Sequence, residues 1–128
     1  MRPTRILLII LFSQILIGCS SSGSASQAIE GYIRALAEKD VVAATTSSCL
    51  AWEEAAFAEA SSFEAVEVKI EGLSCTDSDS DSIYTFVECE GKIIANYGGE
   101  LQDINLSQRT YQALIEQGEW KMCGYASN

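Results

Sequence analysis

Val66-Glu67-Val68-Lys69-Ile70-Glu71 alternates apolar and charged residues one by one. That period of two is the mark of a strand with one buried face and one wet face. It divides the chain. Before it, apolar residues recur at helical spacing: Ile29, Tyr32, Ile33, Leu36 and Ala37 fall three and four apart, and Ser24 with Gln27 has the form of a capping box. Asp40 caps a second short helix from Val41 to Thr46. A third is expected from Leu50 to Ser61, where Trp52, Ala55, Ala56, Phe57 and Ala60 alternate with Glu53, Glu54 and Glu59.

After the alternating stretch the pattern stays extended. A polar tip, Thr76 to Ser82, leads into a second strand from Ile83 to Tyr97 with a bend or bulge at Gly91. Gly98-Gly99 turns the chain into a third strand, Ile104 to Ile115. Gln117-Gly118 is a hairpin signal before a last strand, Trp120 to Tyr125. The expected fold is α+β, with N-terminal helices packed on a curved four-stranded antiparallel meander. The opening Ala28-Ile29-Glu30-Gly31-Tyr32-Ile33-Arg34-Ala35-Leu36 with Asp40, the stretch Cys89-Glu90-Gly91-Lys92-Ile93 with Tyr97-Gly98-Gly99-Glu100, and the terminal Gly118-Glu119-Trp120-Lys121-Met122-Cys123-Gly124-Tyr125 together resemble the cone-shaped nuclear transport factor 2-like and cystatin-like superfamily. That resemblance implies a domain with its ligand pocket, where one exists, between the helices and the concave sheet. Enzymatic members usually set an Asp-His pair in the cone, and this chain has no histidine, so that activity does not transfer.

The amino end has a different character. Arg2 and Arg5 precede a twelve-residue apolar stretch, Ile6 to Ile17, broken only by Ser13 and Gln14. It falls short of the roughly 20 residues of a spanning helix and within the roughly 7 to 15 of a signal-peptide core. A surface helix would need a polar face, and Ile6 to Leu11 offers none. Leu16-Ile17-Gly18-Cys19 resembles the bacterial lipoprotein signal. The resemblance implies cleavage between Gly18 and Cys19, diacylglycerol on the Cys19 thiol, and an acylated protein held at a bacterial cell membrane or outer membrane on the extracytoplasmic side. Two or three acyl chains, at about 0.8 kcal/mol per buried methylene, hold a domain there without any protein contact. The expected organisation is a signal peptide over 1–18, a lipidated Cys and Ser-rich tether over 19–26 with a reach of about 15 Å, and one domain over 27–126.

Cleavage leaves 110 residues, enough for one modest core. It also leaves six basic residues against eighteen acidic ones, a net charge of −12. Such a field repels nucleic acid and anionic headgroups. The absence of histidine excludes a Ser-His-Asp triad, a Cys-His pair and every His-containing zinc site. No cofactor is implied.

Cys49, Cys75, Cys89 and Cys123 remain in the domain, an even number that reads as two disulfides in an exported protein. Their wide spacing lacks the close pairs of a four-cysteine zinc site. Connectivity is harder. A tip turning near Ser80 puts Cys75 opposite Tyr84 and Cys89 opposite Ile70, too far apart to bridge. In a simple meander Cys89 lies two strands from Cys123, about 9.6 Å, with Cys75 further away still. Every complete pairing breaks one of these two assumptions. The pairing preferred is Cys49 with Cys123 and Cys75 with Cys89 across a slipped hairpin.

Two further sites call for weighing. Asp77, Asp79 and Asp81, with Glu88 eleven residues after Asp77, have the carboxylate spacing of a calcium loop. Ser82 stands where the sharp turn needs Gly, and Glu88 at the end of an extended run would lie on the order of 20 Å from Asp81. A solvated hairpin tip is the plainer reading. The other is the cone interior, where Trp52, Phe57, Phe86, Tyr97, Tyr111 and Trp120 would line a pocket, with Arg109 or Lys121 supplying charge, unless those aromatics are simply core. The functional expectation is a lipid-anchored, non-enzymatic interaction or envelope-display module, with an envelope protein as partner; the alternative is a small-ligand domain. Carboxylate catalysis is the third class, and it requires a buried Glu that faces such a cavity and has a raised pKa.

Overall fold

The computed structural model describes residues 23–127. The expected signal segment, with Gly18 and the expected lipidation site Cys19, lies outside the described residues. Three helices, α1 (Ala25–Ala37), α2 (Val41–Thr46) and α3 (Glu53–Ser61), precede five strands: β1 (Glu67–Ser80), β2 (Thr85–Tyr97), β3 (Glu100–Asn105), β4 (Thr110–Glu116) and β5 (Glu119–Tyr125). Short 3-10 turns at Leu50–Trp52 and Leu106–Gln108 precede α3 and β4. No helix among the described residues is long and apolar enough to cross a membrane.

The capping box forms as the sequence implies. Gln27 N donates to Ser24 Oγ at 3.2 Å, and Ser24 N donates to Gln27 Oε1 at 3.1 Å. The helix therefore takes in Ala25 and Ser26, which the sequence reading gave to the tether, and Ala25 is fully buried. Ile29, Tyr32, Ile33 and Leu36 lie on the same buried stripe, which α1 lays across β1, β2, β4 and β5. Full burial of side chains of this size contributes about 1.5–3 kcal/mol each. Asp40 caps α2, its Oδ1 accepting from Ala43 N at 2.9 Å.

The sheet is antiparallel and open, and it differs from the expected meander in two ways. First, β1 runs on through the Asp- and Ser-rich stretch to Ser80, because β2 pairs with it that far. The tip is Asp81–Tyr84, where Asp81 Oδ1 accepts from Ile83 N and Tyr84 N at 2.8 and 2.7 Å. Such a side-chain bond to the following backbone is what makes Asp a turn residue. Second, the expected third strand is broken in two. β3 pairs with the second half of β2, and β4 with its first half, so the two lie end to end along one long neighbour. Asn105 causes the break: its Oδ1 accepts from Ser107 N at 3.0 Å and Ser107 Oγ at 2.7 Å, winding a turn that drives Leu106 into the core.

The irregularity expected at Gly91 is present. Between Glu71↔Lys92 and Ser74↔Glu90, two residues of β1 face one of β2, and that one is Gly91 at φ +99°. A Cβ there would stand 2.5 Å from Glu71 O and 2.6 Å from Gly72 C and O. The bulge also flips the face of β1, since Val66, Val68 and Ile70 point inward before it and Cys75 after it.

Both disulfides form as preferred, Cys49–Cys123 and Cys75–Cys89. The assumption that failed is the tip near Ser80. With the turn at 81–84 and one extra β1 residue, Ser78, between Asp77↔Val87 and Asp79↔Phe86, Cys75 stands directly opposite Cys89, Cα to Cα 4.1 Å. Cys49–Cys123 clamps the Ser47–Cys49 segment to β5, where Cys49 N donates to Met122 O and Met122 N to Ser47 O.

Candidate functional site

The stripe Trp52, Ala56, Glu59, Ala60 and Phe63 runs from the 3-10 turn through α3 to just beyond its end, and Glu59 is its one charged member. Its carboxylate is met by phenols from two other elements. Tyr32 Oη of α1 donates to Glu59 Oε2 at 2.8 Å, and Tyr125 Oη of β5 donates to the same oxygen at 2.9 Å. Trp52 Nε1 donates in turn to Tyr32 Oη at 3.4 Å. Charge-assisted bonds of this kind are roughly twice as strong as neutral ones. Glu59 Oε1 takes no protein hydrogen bond among the described residues.

Around the carboxylate the aromatic rings interlock. Trp52 meets Tyr125 edge-on at 5.5 Å between centroids, and Tyr111 meets Tyr125 at 5.3 Å and 59°. Trp52 lies against Gly124, where a Cβ would sit 3.3 Å from the indole ring. Arg109, immediately before β4, holds its guanidinium 4.7 Å over the Tyr125 ring. It forms no ion pair among the described residues.

The electrostatics follow from burial. It pushes the Tyr111 hydroxyl up to about 12, partly opposed by Arg109. Tyr32 and Tyr125 are driven higher by burial first and then by the negative charge of Glu59. All three phenols are therefore neutral donors at physiological pH. At Arg109 burial opposes the charge, but Tyr125 and the Glu59 carboxylate outweigh it and raise its proton affinity.

Glu59, Arg109, Tyr111 and Tyr125 line a cleft of about 210 Å³ between the helices and the inner face of the sheet. Ile33, Leu36, Phe63, Ile93, Ile104 and Leu106 supply its apolar surface. Glu59, Ser62, Asn105, Arg109, Tyr111 and Tyr125 are the polar lining. It is smaller than the roughly 300 Å³ of a drug-sized pocket, yet it is not filled by core. A larger hollow of about 510 Å³ around Gly72 and Gly91 is a shallow depression on the outer face, crossed by the Lys92–Asp103 ion pair.

Of the residues expected in the cone interior, Arg109 and Tyr111 line this cleft and Trp52 supports it from behind. Four do not. Phe57 is 57 % exposed, and Tyr97, at the end of β2, is 43 % exposed. Phe86 alternates with inward-facing Val87 and so lies on the outer face, and Trp120 borders a separate hollow with Ser24 and Gln27. Lys121 is occupied elsewhere, donating to Thr46 O at 2.6 Å and pairing with Glu119. Glu59, Phe63 and Tyr125 line the cleft, with Tyr32 bonded to Glu59, and none of the four is among the residues expected there. A Glu inside an otherwise apolar helical stripe was the signal for the first.

The three aspartates with calcium-loop spacing turn to backbone. Asp77 Oδ1 accepts from Ser26 N at 2.9 Å, tying β1 to the start of α1, and Asp79 Oδ1 accepts from Ser80 N at 2.8 Å. With Asp81 engaged in the turn, they spread along a strand instead of converging. Among the described residues no group of three or more His, Cys, Asp or Glu side chains is placed to hold a metal.

Fold and cleft together define an α+β domain with helices on one face of an open five-stranded antiparallel sheet. Among solved structures it is similar to a SEC-C motif containing protein from Rhodopseudomonas palustris, with 15 % identity over 81 % of this chain and 80 % of that one and a TM-score of 0.52. At that identity the likeness is one of fold alone. No family model and no curated protein matches the sequence.

Proposed function

We propose that this chain is a lipid-anchored, extracytoplasmic binding module of a bacterial envelope, with a domain of the cone-shaped nuclear transport factor 2-like kind. The observation that carries the location is the pairing of all four domain cysteines into two disulfides behind a leader ending Leu16-Ile17-Gly18-Cys19. Disulfides persist in oxidising compartments, and the leader supplies the route there. The bulge at Gly91 and the helices on one sheet face support the superfamily reading. In this reading the domain acts by contact, with another envelope protein or with a small molecule.

Mass spectrometry of protein from its own host tests the location. The expected amino end is an acylated Cys19. A mature chain that keeps its first eighteen residues, in the cytosol with reduced thiols, would sink the proposal.

One observation favours the small molecule as what is bound: Glu59 and Arg109 line the same apolar-floored cleft without pairing with each other. Screening the full-length protein in detergent against a fragment set, with Trp52 and Tyr125 as optical reporters, tests this. A set in which no fragment binds saturably, or whose binders are indifferent to a Leu106→Trp block of the cleft, refutes it.

A further inference from the structure

The cleft is polarised. On the helix side Glu59 is held by two phenols on one oxygen, leaving Oε1 without a protein donor. On the sheet side Arg109 rests on the face of Tyr125, with no carboxylate within ion-pair distance among the described residues. The Glu59 charge nevertheless acts on Arg109. Two opposite charges thus line one apolar-floored cleft without forming an ion pair.

A ligand that merely satisfied Arg109 would be an anion. The chain carries a net charge of −10, and −12 once the leader is removed, so its field opposes the approach of any net anion. A net cation drawn to Glu59 would leave a carboxylate-seeking guanidinium unmatched beside it. A molecule bearing both charges meets neither penalty. The floor is branched aliphatic and aromatic: Ile33, Leu36, Phe63, Ile93, Ile104 and Leu106. At roughly 30 Å³ per water the cleft holds about seven waters' worth of space, which fits a compact molecule of roughly ten non-hydrogen atoms.

Resting on the small-molecule reading above, we infer that the cleft binds a free α-amino acid with an apolar side chain. Its carboxylate lies on Arg109, its ammonium on Glu59 Oε1, and its side chain on the Ile33, Phe63 and Ile93 floor. Guanidinium and carboxylate pair through two parallel hydrogen bonds, which orients the ligand. An ammonium and a carboxylate on neighbouring positions of one molecule bridge two protein charges that do not reach each other. Arg109 is itself substantially exposed, so each charged contact is partly screened and the affinity is that of a transient, exchanging ligand.

Calorimetric titration of the full-length protein in detergent tests the inference with leucine and two molecules that each lack one charge: 4-methylpentanoate, without the amine, and 3-methylbutylamine, without the acid. Leucine is expected to bind at least tenfold more tightly than either. Arg109→Gln and Glu59→Gln should each weaken leucine about tenfold, and Arg109→Gln should leave the amine unaffected. Gln at position 59 still accepts from Tyr32 and Tyr125, and Arg109 lies at the surface, so both variants keep the fold. Equal binding of leucine and either single-charge analogue, or of leucine by wild type and Arg109→Gln, overturns the amino-acid assignment while leaving the cleft a ligand site. Failure of leucine, both analogues and every neutral fragment removes the assignment and the small-molecule reading together.

Discussion

At Gly91 one absent methyl group lets the sheet bend. The backbone atoms of Glu71 and Gly72 occupy the space a Cβ would need, and φ is positive there, so a side chain would meet steric overlap and a strained conformation at once. Gly91→Ala is expected to cost about 2–4 kcal/mol. Urea denaturation at neutral pH measures it; a loss under 0.5 kcal/mol would mean that the bulge is not held by this contact. The tyrosines give a second prediction at the same scale. The folded state keeps the Tyr111 proton to about pH 12 and those of Tyr32 and Tyr125 further, whereas the unfolded chain releases them near 10. Above pH 10 the unfolded state binds fewer protons than the folded one, so stability is whole below 10 and falls from there toward 12, by about 1.4 kcal/mol per pH unit for each such group. Tyr111→Phe should flatten that decline, and phenolate absorbance in the folded protein should rise late. Ordinary titration of all five tyrosines near pH 10, without unfolding, would contradict it.

At the scale of elements, the β1–β2 hairpin shows how register follows from its turn. Shifting the tip from Ser80 to 81–84, together with the extra β1 residue at Ser78, brings Cys75 and Cys89 face to face. Loop-closure entropy for separations of 14 and 74 residues gives about 3 kcal/mol for Cys75–Cys89 and about 4.5 kcal/mol for Cys49–Cys123. Paired Cys→Ser variants should therefore rank in that order in thermal unfolding, the reverse order arguing that the shorter hairpin is the main clamp. The turn at Leu106–Gln108 separates β3 from β4 and sets Arg109 at the cleft. Leu106→Ala, at a site 3 % exposed, is expected to cost about 2–4 kcal/mol. It should also blunt whatever the cleft binds, because Leu106 lines it. Calorimetry of the variant checks both effects.

Over the whole molecule, the proposed arrangement divides the work between an acidic body and the Cys19 lipid: the charge would keep the domain in solution beside an anionic surface, and Cys19 would supply attachment. Cys19→Ser is expected to release the protein from membranes or leave it uncleaved, as fractionation would show; a processed variant still in the membrane fraction would remove the anchor from the account. Local rules sufficed wherever a residue's neighbours in sequence are also its neighbours in space. The Ser24 and Asp40 caps, the stripe of α1, the Gln117-Gly118 hairpin, the irregularity at Gly91 and the helix-then-sheet order were all readable from spacing alone. The cleft was not. Glu59, Tyr32 and Tyr125 meet across separations of 27 and 66 residues, and whether Phe57 or Glu59 faces inward on α3 depends on where the helix is set down on the sheet. Periodicity determined which elements form, because it reports local backbone geometry. Only packing decided which polar groups converge, because that depends on register and on how α1 and α3 cross the strands, and neither is encoded within any one element.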